Sequence, residues 1–289
     1  MSSYTIILFS SIIMYIILAL SWNMFSAPTG YISLATAAFF GAGIYTTAFL
    51  GELLPLPLLM LAGGIISCML AVIVGAVTLR LRGVYFTIFT FGLVELLRSL
   101  VLWAEIKFTH VRGRFVVSAD HMTVFWCMAV LLILLIAAIV LIRRSRLGKS
   151  LEAIGESEDA AAHIGVNTTA VKVAMFAISA FAVGAAGAAM ATRWSYVDPG
   201  IAFNSMYSFM PVLMAIFGGT RSTVGPIAGA IVFAYLEETL ITKFPSLYMI
   251  IFGLIMVGAI LFLPNGIIGL IKPPVMKLIA KLPKRRVRQ

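Results

Sequence analysis

The sequence predicts an all-α polytopic membrane protein with about eight to nine transmembrane helices, and three observations carry that prediction. Hydrophobic residues make up 62% of the 289-residue chain and charged residues only 11%, against about 45–50% and about 25% in soluble domains. Mean hydropathy is +1.08. The apolar residues fall in long continuous blocks and not in the alternating ~10-residue segments of an outer-membrane barrel. At about 20 residues per crossing, the length allows roughly eight to ten spans and little extramembrane mass. Soluble-enzyme, collagen-like, disordered and disulfide-framework classes are excluded by composition.

Nine apolar blocks follow in order: 4–22, 30–50, 58–79, 84–104, 122–142, 173–193, 205–218, 225–241 and 246–263. No cation precedes the first, and the first charged residue is Glu52; without a positive start it reads as a retained span and not a cleaved signal peptide. The second is rich in small residues (Gly30, Ala35, Ala37, Ala38, Gly41, Gly43) and the seventh is short, so both are candidates for broken helices, which are tolerated where backbone faces protein or water. Cys68 and Cys127 lie inside blocks and read as small buried hydrophobes.

Net charge is +10 and the isoelectric point near 9.9, but position argues against nucleic acid. Seven of the 21 cations lie between Lys272 and Arg288. With an outside N-terminus, one face collects fifteen cations: Arg80, Arg82, Arg143, Arg144, Arg146, Lys149, Lys172, Arg221 and the tail. The other collects five, namely Lys107, Arg112, Arg114, Arg193 and Lys243. The positive-inside bias makes the first face cytoplasmic and the tail, 272–289, a contact for anionic membrane lipid. The longest cytoplasmic segment is then 143–172. Within it Ser157 can cap a helix of about eight residues, Glu158 and Asp159 occupy its first turn, and Gly165 suits its end. An ordered cytoplasmic helix on a chain with no soluble domain is a docking element for another protein.

Catalytic chemistry finds no support. Gly148-Lys149-Ser150 ends like a phosphate loop, but the Gly needed five residues earlier is Arg143. Gly41-Ala42-Gly43-Ile44-Tyr45-Thr46 lacks the third Gly of a dinucleotide fingerprint. His110, His121 and His163 have no partner at metal-ligand spacing. No metal, cofactor or nucleophile site is expected on this chain. Glu95 and Arg98 are the deep ionisable residues; spaced i, i+3, they share a helix face and pair, either as a buried structural pair or as lining of a wet path.

Several segments resemble one family, the permease subunits of branched-chain amino acid ABC importers, and within it the M-type subunit. Gly30-Tyr31-Ile32-Ser33-Leu34 with Ala37-Ala38-Phe39-Phe40-Gly41-Ala42-Gly43-Ile44-Tyr45 is similar to the family's small-residue helix. Arg80-Leu81-Arg82-Gly83-Val84-Tyr85-Phe86, continuing to Glu95 and Arg98, resembles the M-type pattern. Asp159-Ala160-Ala161 with Gly165 is similar to the coupling loop, Asp159 standing for the usual Glu. Asp198-Pro199, Phe203 and Ser208 lead into Gly218-Gly219, and Gly225-Pro226 with Gly229 closes a glycine-rich turn. These motifs span residues 30 to about 265 in the correct order.

The resemblance implies an ATP-driven importer in a bacterial inner membrane, for branched-chain amino acids or a related small polar solute such as urea, an amide or an aromatic acid. It implies a homologous H-type second permease, two cytoplasmic ATPase subunits that bind ATP and Mg, and an extracytoplasmic substrate-binding protein. Glu158, Asp159, Ala160, Ala161 and Gly165 would couple to the ATPases; Phe39, Phe40, Tyr45, Glu95 and Arg98 are the candidates for the translocation path. The rival class is an ion-coupled carrier acting alone, which would show internal repeats and several intramembrane acids. Neither is visible here.

Overall fold

The computed structural model describes residues 3–81, 83–220 and 222–244, with residues 247, 250, 251, 253, 254 and 258. Most of the ninth block, the basic tail 272–289, Arg82 and Arg221 lie outside the described residues. Among those described, the chain forms helices α1 (Ser3–Thr29), α2 (Thr36–Leu50), α3 (Leu56–Thr78), α4 (Val84–Thr109), α5 (His121–Arg144), α6 (Arg146–Glu156), α7 (Glu158–His163), α8 (Thr168–Ala191), α9 (Pro199–Ala202), α10 (Met206–Gly218) and α11 (Val224–Lys243), with two-residue strands β1 (Arg114–Phe115) and β2 (Tyr196–Val197). Among the described residues, seven stretches are long and apolar enough to cross a membrane: α1, α3, α4, α5, α8, residues 199–218 and α11. The chain is a multi-pass membrane protein. It divides into two compact units, Met1–Val212 and Leu213–Gln289.

The second block does not cross as one helix. Its α2 has 15 residues, about 22 Å at ~1.5 Å per residue against a hydrocarbon core of ~30 Å, and residues 30–35 are not helical. Gly30 enters this stretch with φ +73°, a left-handed conformation glycine adopts without strain. Unwound backbone at membrane depth needs partners for its amides and carbonyls, and three neighbouring helices supply them. Trp22 Nε1 of α1 donates to Ser33 O at 2.8 Å. Thr87 Oγ1 of α4 donates to Ile32 O at 2.9 Å, and Leu34 N donates to Thr90 Oγ1 at 3.0 Å. Ser208 Oγ of α10 donates to Leu34 O at 2.6 Å while accepting from Ala37 N at 3.0 Å.

The core of the first unit is the packing of α8 against α2 and α3, flanked by α1 and α5. Its Ala- and Gly-rich sequence, Ala177 to Ala191, lets backbones touch. A Cβ on Gly43 would strike Gly184 O, one on Gly187 would strike Phe40 O, and one on Gly63 would lie 2.8 Å from Ala188 Cβ. Association of apolar helices in lipid rests on such close packing. Beside it Phe25, Phe39, Phe86 and Phe176 form an aromatic cluster with centroids 5.0–6.3 Å apart.

The two sets of helix ends are distinct. At one, Tyr31, Leu79, Glu158 and Lys172 come together. At the other, β1 pairs antiparallel with β2, Arg112 Nη2 bonds Asp198 Oδ2 at 3.1 Å, and the Arg114 guanidinium lies 3.8 Å above the Phe49 ring. Two-residue strands carry no periodic signal, so this ladder is not legible in the sequence. Cys68 and Cys127 are half-buried thiols, not the fully buried groups expected.

Candidate functional site

Segment 143–172 is built from local capping. Where one short helix was expected, the structure has two. Ser145 caps α6, its Oγ accepting from Gly148 N at 3.4 Å, and α6 buries Gly148, Leu151 and Ile154 on one face. Ser157 caps α7 through Ala160 N at 3.3 Å, with Glu158 and Asp159 in the first turn. The far end closes as a Schellman motif: Gly165 N donates to Ala162 O at 3.0 Å and Val166 N to Ala161 O at 3.1 Å, with Gly165 at φ +89°. Asn167 then caps α8.

The six residues of α7 do not present one alanine face to the outside. Asp159, Ala160, Ala162 and His163 are exposed, and Ile164 beyond them is 75% exposed, but Ala161 is only 2% exposed and packs inside this chain. Of the coupling residues that the resemblance implies, Ala160 faces out, as does Ala162 beside them, while Ala161 anchors α7. The cause is helical period: Ala161 lies on the inward side of α7, its neighbours on either side of it.

Glu158 is also turned inward. Its Oε1 accepts from Lys172 Nζ at 2.5 Å and its Oε2 from Tyr31 OH at 2.7 Å. Lys172, read from sequence only as one more loop cation, is 1% exposed. Its ammonium also donates to Leu79 O at 2.9 Å and Tyr31 OH at 3.2 Å, and sits 4.6 Å over the Tyr31 ring. No local pattern could have revealed this group, because its members lie up to 141 residues apart.

Glu95 and Arg98 pair at 3.4 Å, but their side chains are 45% and 44% exposed in this chain. The pair forms as the i, i+3 spacing predicts, with almost half of each side chain uncovered in this chain. Ser205 Oγ donates to Glu95 Oε1 at 3.2 Å. Nearby, Asp198 caps α9 by accepting from Ile201 N at 2.8 Å and holds Arg112. The deeply buried acid is instead Glu105, 4% exposed, which accepts from Tyr45 OH at 3.1 Å and Gly113 N at 2.9 Å. Phe39, Phe40 and Tyr45 are packing residues of the first unit. Phe39 joins Phe176, Phe40 packs on Tyr207 at 4.5 Å, and Tyr45 stacks on Phe203 at 5.8 Å.

In the second unit the glycine-rich turn is a close backbone crossing. A Cβ on Gly218 would strike Gly225 O, one on Gly225 would strike Gly219 O, and one on Gly229 would strike Met214 O. Gly219 turns at φ +101°, Pro226 sits in the first turn of α11, and Phe217 packs edge-on to Phe233 at 4.7 Å.

A family model described as the permease component of branched-chain amino acid transport systems matches residues 4–260. The chain is 27% identical to the high-affinity branched-chain amino acid transport system permease protein LivM of Salmonella typhimurium, over 90% of this chain and 68% of that protein. It is 28% identical to the corresponding permease protein LivH of Escherichia coli, over 54% of this chain and 49% of that protein. It is 24% identical to the autoinducer 2 import system permease protein LsrC of Yersinia pseudotuberculosis, over 68% of this chain and 61% of that protein. No solved structure matches the chain. An apolar helical bundle with unwound backbone at its centre and a capped extramembrane helix pair, matched over residues 4–260, belongs to the family of permease components of branched-chain amino acid transport systems.

Proposed function

We propose that this chain is the M-type membrane subunit of an ATP-driven importer of branched-chain amino acids or a related small polar solute. In this reading it works beside a homologous permease in a bacterial inner membrane, with two cytoplasmic ATPase subunits that bind ATP and Mg and an extracytoplasmic binding protein. The N-terminus lies outside and the C-terminus in the cytoplasm. The observation that carries the reading is α7: a capped, outward-facing helix fixed to the membrane helices through Glu158 and Lys172. ATP-driven closure of the ATPases displaces this helix, and α8 and α3 move with it.

A second observation supports the path. Glu95 and Arg98 stand near the middle of the α4 sequence with almost half of each side chain uncovered. Charges at mid-span avoid lipid and mark water-filled or protein-covered faces, so this face of α4 turns to the solute path, with Ser205 beside it. The test is expression with the ATPase and second permease genes of the same organism, followed by affinity purification of this chain. Co-purification of ATPase subunits from wild type, and their loss with Ala160→Trp, supports the reading; wild-type chain that purifies free of any ATPase contradicts it.

A further inference from the structure

We propose that Glu158, Lys172 and Tyr31 form the linkage through which displacement of α7 is transmitted to the membrane helices; this rests on the importer reading above. A buried ammonium is strongly disfavoured without partners and holds the ones it has, because releasing them strands a charge away from water. Lys172 Nζ has three oxygen partners at 2.5, 2.9 and 3.2 Å. One is the carboxylate of α7. Another is the carbonyl of Leu79, just past the C-terminus of α3, where the helix dipole favours a cation. The third is the Tyr31 hydroxyl, which also donates to Glu158.

Each connection leads to a different moving part. Lys172 belongs to α8, the helix at the centre of the unit. Leu79 ends α3. Tyr31 lies in the unwound stretch 30–35, and its ring meets Phe86 of α4 edge-on, centroids 5.3 Å apart at 86°. Glu158 joins α7 directly to Lys172 of α8 and to Tyr31. A charged pair that joins one extramembrane helix to α3, α4, α8 and the unwound segment moves them together when that helix moves. Glu158 and Lys172 are thus positioning residues for transport, distinct from the exposed residues that would meet an ATPase.

The test uses the complete transporter in proteoliposomes, measuring solute taken up per ATP hydrolysed for wild type, Glu158→Gln, Lys172→Met, Lys172→Arg and Tyr31→Phe. The expected result is that ATPase subunits stay bound and hydrolyse ATP in every variant. Uptake per ATP falls about tenfold for Glu158→Gln and Lys172→Met, within the usual range of coupling between sites. Tyr31→Phe falls less, and Lys172→Arg, which keeps the charge, retains most of the ratio. If Lys172→Met does not accumulate, Glu158→Gln decides, since its isosteric side chain is only partly buried. An unchanged ratio in Glu158→Gln overturns the linkage, as does a loss of uptake that only follows loss of bound ATPase. Wild-type chain that assembles with no ATPase overturns the importer reading itself, before any variant is compared.

Discussion

Gly43 and Gly184 meet where α2 crosses α8, and neither position has room for a side chain. Gly43→Leu is expected to destabilise the purified chain by about 1–3 kcal/mol, the usual cost of overpacking. Thermal unfolding in detergent measures this, with Gly92→Ala as the control, because nothing lies within 4 Å of a Cβ there. Equal melting of Gly43→Leu and wild type would refute the close crossing. Glu95 and Arg98 predict the opposite separation of stability from activity. An exposed pair contributes at most about 1 kcal/mol, so Glu95→Ala and Arg98→Ala should melt with wild type yet lower solute uptake. A fall in melting temperature matching that of Gly43→Leu would make the pair structural.

The unwound stretch 30–35 behaves as an element whose stability lies in its neighbours. Thr90→Val removes the acceptor of Leu34 N and leaves a buried amide unpaired, at about 1–3 kcal/mol. Faster hydrogen exchange confined to this stretch and its contacts is the expected result; unchanged exchange would mean another group caps it. At α7, Ala160→Trp and Ala162→Trp should leave the chain folded and block ATPase binding. Ala161→Trp should disturb the fold of the loop itself. Gly165→Val forces a branched residue into a left-handed conformation at about 1–2 kcal/mol, and protease sensitivity of 143–172 reports it.

These elements also show what a sequence can reveal. Capping is local, so Ser157 and Gly165 announced both ends of α7 correctly, and the hydropathy blocks announced the spans. Small residues marked block two as broken, and the glycines of the last turn marked a close crossing. What could not be read joins distant residues: the burial of Lys172 depends on Tyr31, Leu79 and Glu158, which only the fold brings together. Glu105 escaped for the same reason, since its partners Tyr45 and Gly113 lie on other segments. The burial of Ala161 depends on how α7 packs on the rest of the chain, which no local pattern gives.

At the scale of the whole molecule, the alternation of spans places Tyr31, Leu79, Glu158 and Lys172 at one set of ends and Arg112, Arg114 and Asp198 at the other. In the proposed orientation the first set is cytoplasmic, as the sequence bias of fifteen cations to five implies. A membrane-impermeant thiol reagent should therefore label Ser3→Cys in intact cells and leave Lys281→Cys untouched, in a background with Cys68 and Cys127 replaced. In the proposed function, ATP hydrolysis on partner subunits, and not an ion gradient, drives transport through this chain. Uptake of radiolabelled leucine, isoleucine or valine into proteoliposomes holding the assembled complex, supplied with binding protein and ATP, tests it most directly. Uptake that requires ATP, stops with vanadate and persists when ionophores collapse all ion gradients is the predicted result; uptake by this chain alone, without ATP and abolished by the ionophores, would contradict it.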